Sequence, residues 1–155
     1  MNLHFSDQNS FVNHRIKSTI FLAGPSPRDS GVPDWRDDAF KIFDEMGFDG
    51  TLFVPRPSGG HMDNYDGQVE WELHHLNMAH TIMFWVPRDL AVLQAYTTNV
   101  EFGLYVKSGK IVYGRPDEAP KNKYLDHLYR KFALKEPINN LRDTVAAAML
   151  QATRS

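Results

Sequence analysis

The feature that most constrains the fold is an apolar run in the middle of the chain, from Thr81 to Val86, closed by Pro87. The run is continuously apolar rather than alternating, which is typical of a parallel strand covered on both faces. Similar short runs at 18–24, 51–54 and 111–113 are each followed by apolar residues at helical spacing. Strands that alternate with helices predict a single three-layer α/β domain, with a mainly parallel sheet of about four to five strands flanked by helices.

Bulk composition places this domain among ordinary globular proteins. The 155 residues fit one domain, and the formal net charge of -2 gives no push toward nucleic acid or anionic membranes. There are no cysteines, which excludes disulfides and thiol catalysis, and no apolar run reaches the ~18 residues of a membrane span. Residues 1–17 lack periodicity and are predicted to be a flexible lead-in to a domain at 18–155. We expect a cytoplasmic location.

The topology predicts where a ligand would bind. In parallel α/β sheets, ligands bind beyond the carboxyl ends of the strands. Three segments should meet there: the loop that begins at Gly24-Pro25, the loop 86–96, and the start of the helix that holds Glu101. The long loop 56–65 should border the same crevice.

Glu101 has two interpretations on sequence alone. In Thr98-Asn99-Val100-Glu101, Thr98 has the spacing of a helix N-cap, and Glu101 would reach back from the first turn to form a capping box. The functional interpretation is that Glu101 is a catalytic carboxylate at the predicted ligand site. The sequence leaves both open.

Glu72 is the second candidate carboxylate. In the predicted helix 66–79, it lies on or beside the apolar stripe formed by Val69, Leu73 and Leu76. A carboxylate turned inward costs free energy unless it is paired or used, although an edge position would let it reach water. Two converging carboxylates suit glycosidic bond cleavage, in which positive charge develops on the sugar, and a retaining pair would lie about 5–5.5 Å apart.

Other site types have little support in the sequence. His74, His75 and His80 cluster with acidic residues but lack the HExxH spacing of a zinc site. The dinucleotide GxGxxG fingerprint, the P-loop and the GxSxG hydrolase elbow are absent. We therefore expect neither a metal nor an organic cofactor.

Three motifs carry a family resemblance. Residues 20–25, IFLAGP, resemble the "(I/V)YLAGP" strand and loop of the nucleoside 2-deoxyribosyltransferase superfamily. Residues 72–80 resemble its "D-L-x-x-I-x-x-A-D" helix, and residues 99–103, followed by Gly109-Lys110, resemble its "x-x-E-L-G-x-A…G-K" nucleophile helix. The matches occur in the family order and cover roughly residues 18 to 115.

The resemblance implies a Rossmann-like enzyme that cleaves or transfers at the N-glycosidic bond of a nucleoside. Glu101 matches the nucleophile, and Glu72 stands where the family has a catalytic Asp. Expected partners are a small-molecule nucleoside or nucleotide and a free base, not a nucleic acid polymer or a membrane. A homo-oligomer with sites built partly by a neighbour is also implied. Candidate substrate-binding residues, with Trp85 a further stacking candidate, are Phe21, Ala23, Gly24, Pro25, Trp35, Asp89 and Asn99.

Departures from the family pattern keep the reaction open. Phe21 replaces a Tyr, His80 replaces an Asp, and Ala95 stands where an Asp commonly lies six residues before the nucleophile. Asp89 either replaces that Asp or matches the separate Asp that often follows the third strand in this family. A 2-deoxyribosyltransferase is the first hypothesis. A nucleotide N-glycosidase would need a phosphate pocket, for which the loop arginines are Arg28, Arg56 and Arg88. A catalytically silent nucleotide-binding module is the alternative of another class.

Overall fold

A computed structural model describes residues 1–8, 18–29, 31–59 and 64–154. Strands and helices alternate along nearly all of this length, and a π-helical turn at Tyr129–Ala133 extends the fourth helix. The strands are β1 Asn2–Phe5, β2 Thr19–Ala23, β3 Thr51–Val54, β4 Thr81–Trp85 and β5 Ile111–Gly114. The helices are α1 Trp35–Glu45, α2 Tyr65–Met78, α3 Tyr96–Tyr105, α4 Lys123–Leu128 and α5 Leu141–Ala152.

The strands form one parallel sheet in the order β1-β3-β2-β4-β5. The chain leaves β2 on one side through α1 to β3, and then crosses through α2 to β4 on the other side of β2. The carboxyl ends of β2 and β4 therefore flank the point at which the strand order reverses, which is where open α/β sheets bind ligands.

Side chains of the central strands supply two cores, one on each face of the sheet. Phe21 and Ala23 of β2 pack with residues of α2, α3 and α4, whereas Ile20 and Leu22 pack with α1 and α5. All five residues of β2 and of β4 are buried. Burial on both faces explains why these strands are continuously apolar, and it confirms the predicted three-layer α/β fold.

The first residues of the chain differ from the sequence-based expectation. The lead-in at 1–17 is predicted to be flexible, but Asn2–Phe5 is an edge strand that pairs in register with Thr51–Val54. His4 of this strand is buried, and its ring stacks on Trp71 with centroids 5.7 Å apart. The remainder of the predicted lead-in, residues 9–17, lies outside the described residues.

Two helices begin as their sequences indicate, and one does not. Asp34 caps α1 by accepting from the amide of Arg36 at 3.0 Å, and Asn64 likewise caps α2. Helix α3 begins at Tyr96, after Ala95 in a left-handed conformation (φ 63°), with no side-chain cap. Glu101 therefore lies in the second turn of α3, and the capping-box interpretation is wrong. None of the described helices is long and apolar enough to cross a bilayer.

Candidate active site

A cleft of about 520 Å³ opens at the carboxyl ends of β2 and β4. The loop after β2 forms one wall, the first half of α2 forms another, and the loop before α3 together with the start of α3 forms the third. The residues that line the cleft include Gly24, Pro25, Arg28, Arg36, Tyr65, Gln68, Glu72, Tyr96 and Glu101. The structure thus brings together the two carboxylates singled out in the sequence, from helices separated by β4.

Glu72 and Glu101 share a hydrogen bond between their carboxyl groups. This contact places the two carboxyl groups next to each other, and the separation of about 5–5.5 Å expected of a retaining pair stays a prediction. Gln68, one turn before Glu72, donates from Nε2 to Oε1 of Glu72 at 2.9 Å. The contact leaves Glu72 as a hydrogen-bond acceptor on two sides.

Burial and mutual repulsion hold a proton on this pair. Burial, followed by the charge of Glu72, raises the pKa of Glu101 to about 8, while Arg36 opposes the rise. Burial also raises the pKa of Glu72, but the hydrogen bond from Gln68 and the charge of Arg36 counteract it. Because the groups are coupled, their protons leave in two steps that belong to the pair. At pH 7 the pair therefore retains a proton that an exposed glutamate would have lost, and the two carboxyl groups share it.

Arg36 is the principal site residue that the sequence analysis missed. Its side chain is fully buried near the start of α1 and borders the cleft. The guanidinium donates to the carbonyl oxygens of Leu22 (3.1 Å) and Gly24 (2.8 Å), to the Ser26 hydroxyl (3.1 Å) and to Asp34 (3.2 Å). Burial lowers the pKa of Arg36 and Asp34 opposes this, so the group stays protonated.

Four of the predicted substrate-binding residues lie in or behind the loop after β2. Gly24 and Pro25 line the cleft. Phe21 and Ala23 are fully buried in the core under α2 and α3. Glycine is required at position 24, because a Cβ there would collide with the carbonyl oxygen of Trp85 and would lie 2.8 Å from the Trp35 ring.

The two predicted stacking residues, Trp35 and Trp85, are not on the described cleft wall. Both belong to the core on the α1 and α5 side of the sheet, with about 7% and 6% of their surface exposed. The Trp35 indole N–H donates to the carbonyl oxygen of Pro25 at 3.0 Å, so this ring supports the loop from behind. Tyr65 and Tyr96 are the exposed aromatic side chains on the described cleft wall.

Asp89 and Asn99 serve the loop between β4 and α3 rather than the cleft wall. The Asp89 carboxylate accepts from the amides of Ala91 (2.8 Å) and Val92 (3.2 Å), and its residue lines a separate hollow. Asn99 accepts from Arg88 at 2.6 Å. The sequence does not distinguish Asp and Asn side chains that stabilise a loop from those that bind a ligand.

Of the three candidate phosphate-binding arginines, the structure leaves Arg28 for that role. Arg56 donates to Asp34 (2.7 Å) and Asp37 (2.5 Å), and Arg88 is buried against Asn122, Gln94 and Asn99. Arg28 is exposed at the mouth of the cleft and makes no hydrogen bond or ion pair with the other described residues.

The histidines do not form a metal site in the described part of the chain, where no group of three or more His, Asp or Glu side chains has suitable geometry. His75 stacks on Trp71 with centroids 3.9 Å apart, and burial lowers the pKa of its imidazole to about 4. His80 accepts from the amide of Thr19 at 3.1 Å and so ties β2 to β4. Packing and strand contacts thus account for these two rings.

A doubly wound parallel sheet with a proton-sharing carboxyl pair at its switch point defines a small-molecule site of the α/β class. Residues 17–119 match the family described as nucleoside 2-deoxyribosyltransferase like. The match covers more than half of the chain, including Glu72 and Glu101, and the chain therefore belongs to that family. A comparison with curated proteins found no match.

Proposed function

We propose that the protein is a nucleoside 2-deoxyribosyltransferase that uses Glu101 as its nucleophile. The observation that carries the proposal is the hydrogen-bonded Glu72–Glu101 pair in the cleft at the switch point, in a chain of this family. The cleft volume of about 520 Å³ falls in the usual range for small-molecule sites. No cofactor is needed, because a carboxylate nucleophile and one mobile proton suffice for the chemistry.

The resting charge of the pair sets the order of steps. With the shared proton on Glu72, the Glu101 carboxylate attacks C1′ of the sugar. The C1′–N bond breaks, its electron pair goes to the base nitrogen, and Glu72 supplies that nitrogen with the proton. In the second half, an incoming base gives its N–H proton to Glu72 and attacks C1′. Glu101 leaves as a carboxylate, and the pair again holds one shared proton.

The experiment is chromatography of purified protein incubated with pooled deoxynucleosides and deoxynucleotides, with and without a second free base. We expect a new nucleoside that forms only when the second base is present. Glu101→Ala should abolish turnover and leave the fold intact by circular dichroism. Glu70→Ala, an exposed glutamate on α2, is the matched control and should retain activity. Full turnover by Glu101→Ala would refute the assignment.

Hydrolysis of a nucleoside 5′-monophosphate is the second candidate, and Arg28 is the observation that favours it. An exposed guanidinium at the cleft mouth, without a partner among the described residues, suits a phosphate. Release of free base from nucleotides alone, lost in Arg28→Gln, would move the assignment to a hydrolase. Bound nucleotide without any product would favour the silent binding module.

We extend the proposal to a homo-oligomer that uses the outer face of α3. Tyr96, Val100 and Leu104 follow one another at four-residue spacing on this helix and are 67%, 64% and 63% exposed. Their apolar surface is continuous with the cleft, because Tyr96 also lines it. A second copy that covered this face would border the active site and shield its carboxyl pair from water.

A further inference from the structure

Arg36 donates to the loop after β2 and lines the same cleft as Glu72 and Glu101. We infer that Arg36 is a positioning residue that fixes the net charge of the Glu72–Glu101 pair while it anchors the carbonyl groups at the end of β2. Its meaning for catalysis rests on the proposed function, but its effect on the charge of the pair does not. Nothing in the sequence pattern assigns this role, because Arg36 reads there as one polar residue at the start of an amphipathic helix.

Hydrogen bonds from Arg36 and its neighbour Trp35 hold the loop after β2 in place. The backbone oxygens of Leu22 and Gly24 both accept hydrogen bonds from its guanidinium. The indole N–H of the adjacent Trp35 donates to the backbone oxygen of Pro25. Three of the carbonyl oxygens at and just after the end of β2 thus accept from side chains at the start of α1, which ties this loop to α1.

The charge of Arg36 is only partly cancelled by its ion pair. Asp34 divides its carboxylate between Arg36 (3.2 Å) and Arg56 (2.7 Å), so positive charge remains to act on the pair. Arg36 opposes the rise in pKa of both Glu72 and Glu101. The other charged or titratable groups on the described cleft wall or acting on the pair are Arg28, Asp29, Tyr65, Tyr96 and Tyr105. Gln68 is neutral and donates to Glu72.

If Arg36 sets the charge of the pair, its removal should change the titration of Glu72 and Glu101 in a way that a purely structural role would not. Removing Arg36 should move the upper titration step of the pair to higher pH, because the negative form loses a buried cation of the same cleft. Replacing Asp34 by Asn should move the step the opposite way, because Arg36 then acts without its counter-ion on that side. Asparagine also preserves the N-cap of α1. If the two substitutions only disturbed the structure, they would not shift the titration step in opposite directions.

The test is NMR titration of the protein labelled with 13C at the glutamate carboxyls, which needs no substrate. The chain has six glutamates, so Glu72→Gln and Glu101→Gln suffice to assign the pair. Arg36→Gln should raise the upper step by about one pH unit or more. Arg36→Lys, which keeps the charge and loses the planar fork, should raise it less, and Asp34→Asn should lower it. Arg115→Gln, which removes a guanidinium bound to Asp126 outside the described cleft wall, is the matched control and should leave the step unchanged.

Upper steps that stay in place, or move the same way, in Arg36→Gln and Asp34→Asn would overturn the inference. If Arg36→Gln does not fold, the signs for Arg36→Lys and Asp34→Asn decide the question. In turnover assays, the pH optimum of Arg36→Lys should follow its titration step, whereas a structural role would lower kcat equally at every pH. A shifted titration in a protein without turnover would retain the role of Arg36 in setting charge and reject the proposed function.

Discussion

Replacing Glu101 by glutamine should stabilise the protein, by an amount that grows with pH. In the folded state burial and Glu72 raise the pKa of Glu101 to about 8, whereas the ordinary value is 4.5. Between these two pH values, folding requires the carboxyl to take up a proton from solution. Each pH unit costs about 1.4 kcal/mol, so the destabilisation is roughly 3 kcal/mol at pH 7 and roughly 5 kcal/mol above pH 8.

The sign follows from the direction of the shift. A carboxyl whose folded pKa is raised costs nothing below its unfolded pKa, and its cost is complete above the folded one. Glutamine removes the cost, because it is always neutral and its amide can donate to Glu72 as the protonated carboxyl does. For a chain of this size, ~3 kcal/mol corresponds to a rise in Tm of roughly 6–12 °C at pH 7.

The assay is thermal unfolding by circular dichroism at intervals from pH 4.5 to 9, with the wild type and Glu101→Gln side by side. The two Tm values should coincide near pH 4.5 and separate as the pH rises toward 8. Glu70→Gln, at an exposed position on α2, controls for the loss of a carboxylate as such. A Tm difference that is independent of pH, or a variant less stable than the wild type at pH 8, would refute the reasoning.

Three further predictions concern the pair, the loop and the α3 face. Glu72→Gln should lower the pKa of Glu101, since the charge of Glu72 is a cause of its rise, and the same carboxyl titration measures this; an unchanged pKa would contradict the coupling. Gly24→Ala should destabilise the protein by about 1–3 kcal/mol in urea unfolding, because the added Cβ collides with Trp85 and Trp35. Gly31→Ala, in the same loop, is the control and should leave the stability unchanged, because its Cβ would make an ordinary contact at 3.6 Å. Leu104→Lys should reduce the mass measured by light scattering, while Leu134→Lys, at a position 84% exposed outside α3, should not; a monomeric wild type would reject the oligomer.

The layers of the fold were predictable because burial on both sheet faces leaves a continuous apolar run. Glu72 was equally accessible to sequence reasoning, since helical spacing puts it beside Leu76, which is fully buried. Strand β1 was not, because its Asn-Leu-His-Phe sequence is half polar and its pairing with β3 is set by residues about fifty positions away. Hydrophobic periodicity reports local burial and carries little information on such an edge strand.

Arg36 and the start of α3 escaped prediction for different physical reasons. A buried charge is tolerable only where its partners are assembled, and those of Arg36 include the Leu22 and Gly24 carbonyls of another element. The sequence pattern of α1 does not indicate these hydrogen-bond partners. Helix α3 begins after Ala95 in a left-handed conformation, which sequence rules reserve mainly for Gly and Asn. The Thr98 cap signal was therefore misleading.

The stability cost of the carboxyl pair is itself an argument about function. An amide at position 101 would make the same hydrogen bond to Glu72 and would avoid the cost of protonation. What the acid adds is a proton that moves near neutral pH and an oxygen that can attack carbon, and neither is needed to bind a nucleotide. A Glu101→Gln protein that is more stable and still binds nucleotide, but turns nothing over, would show that the pair is maintained by chemistry rather than by binding.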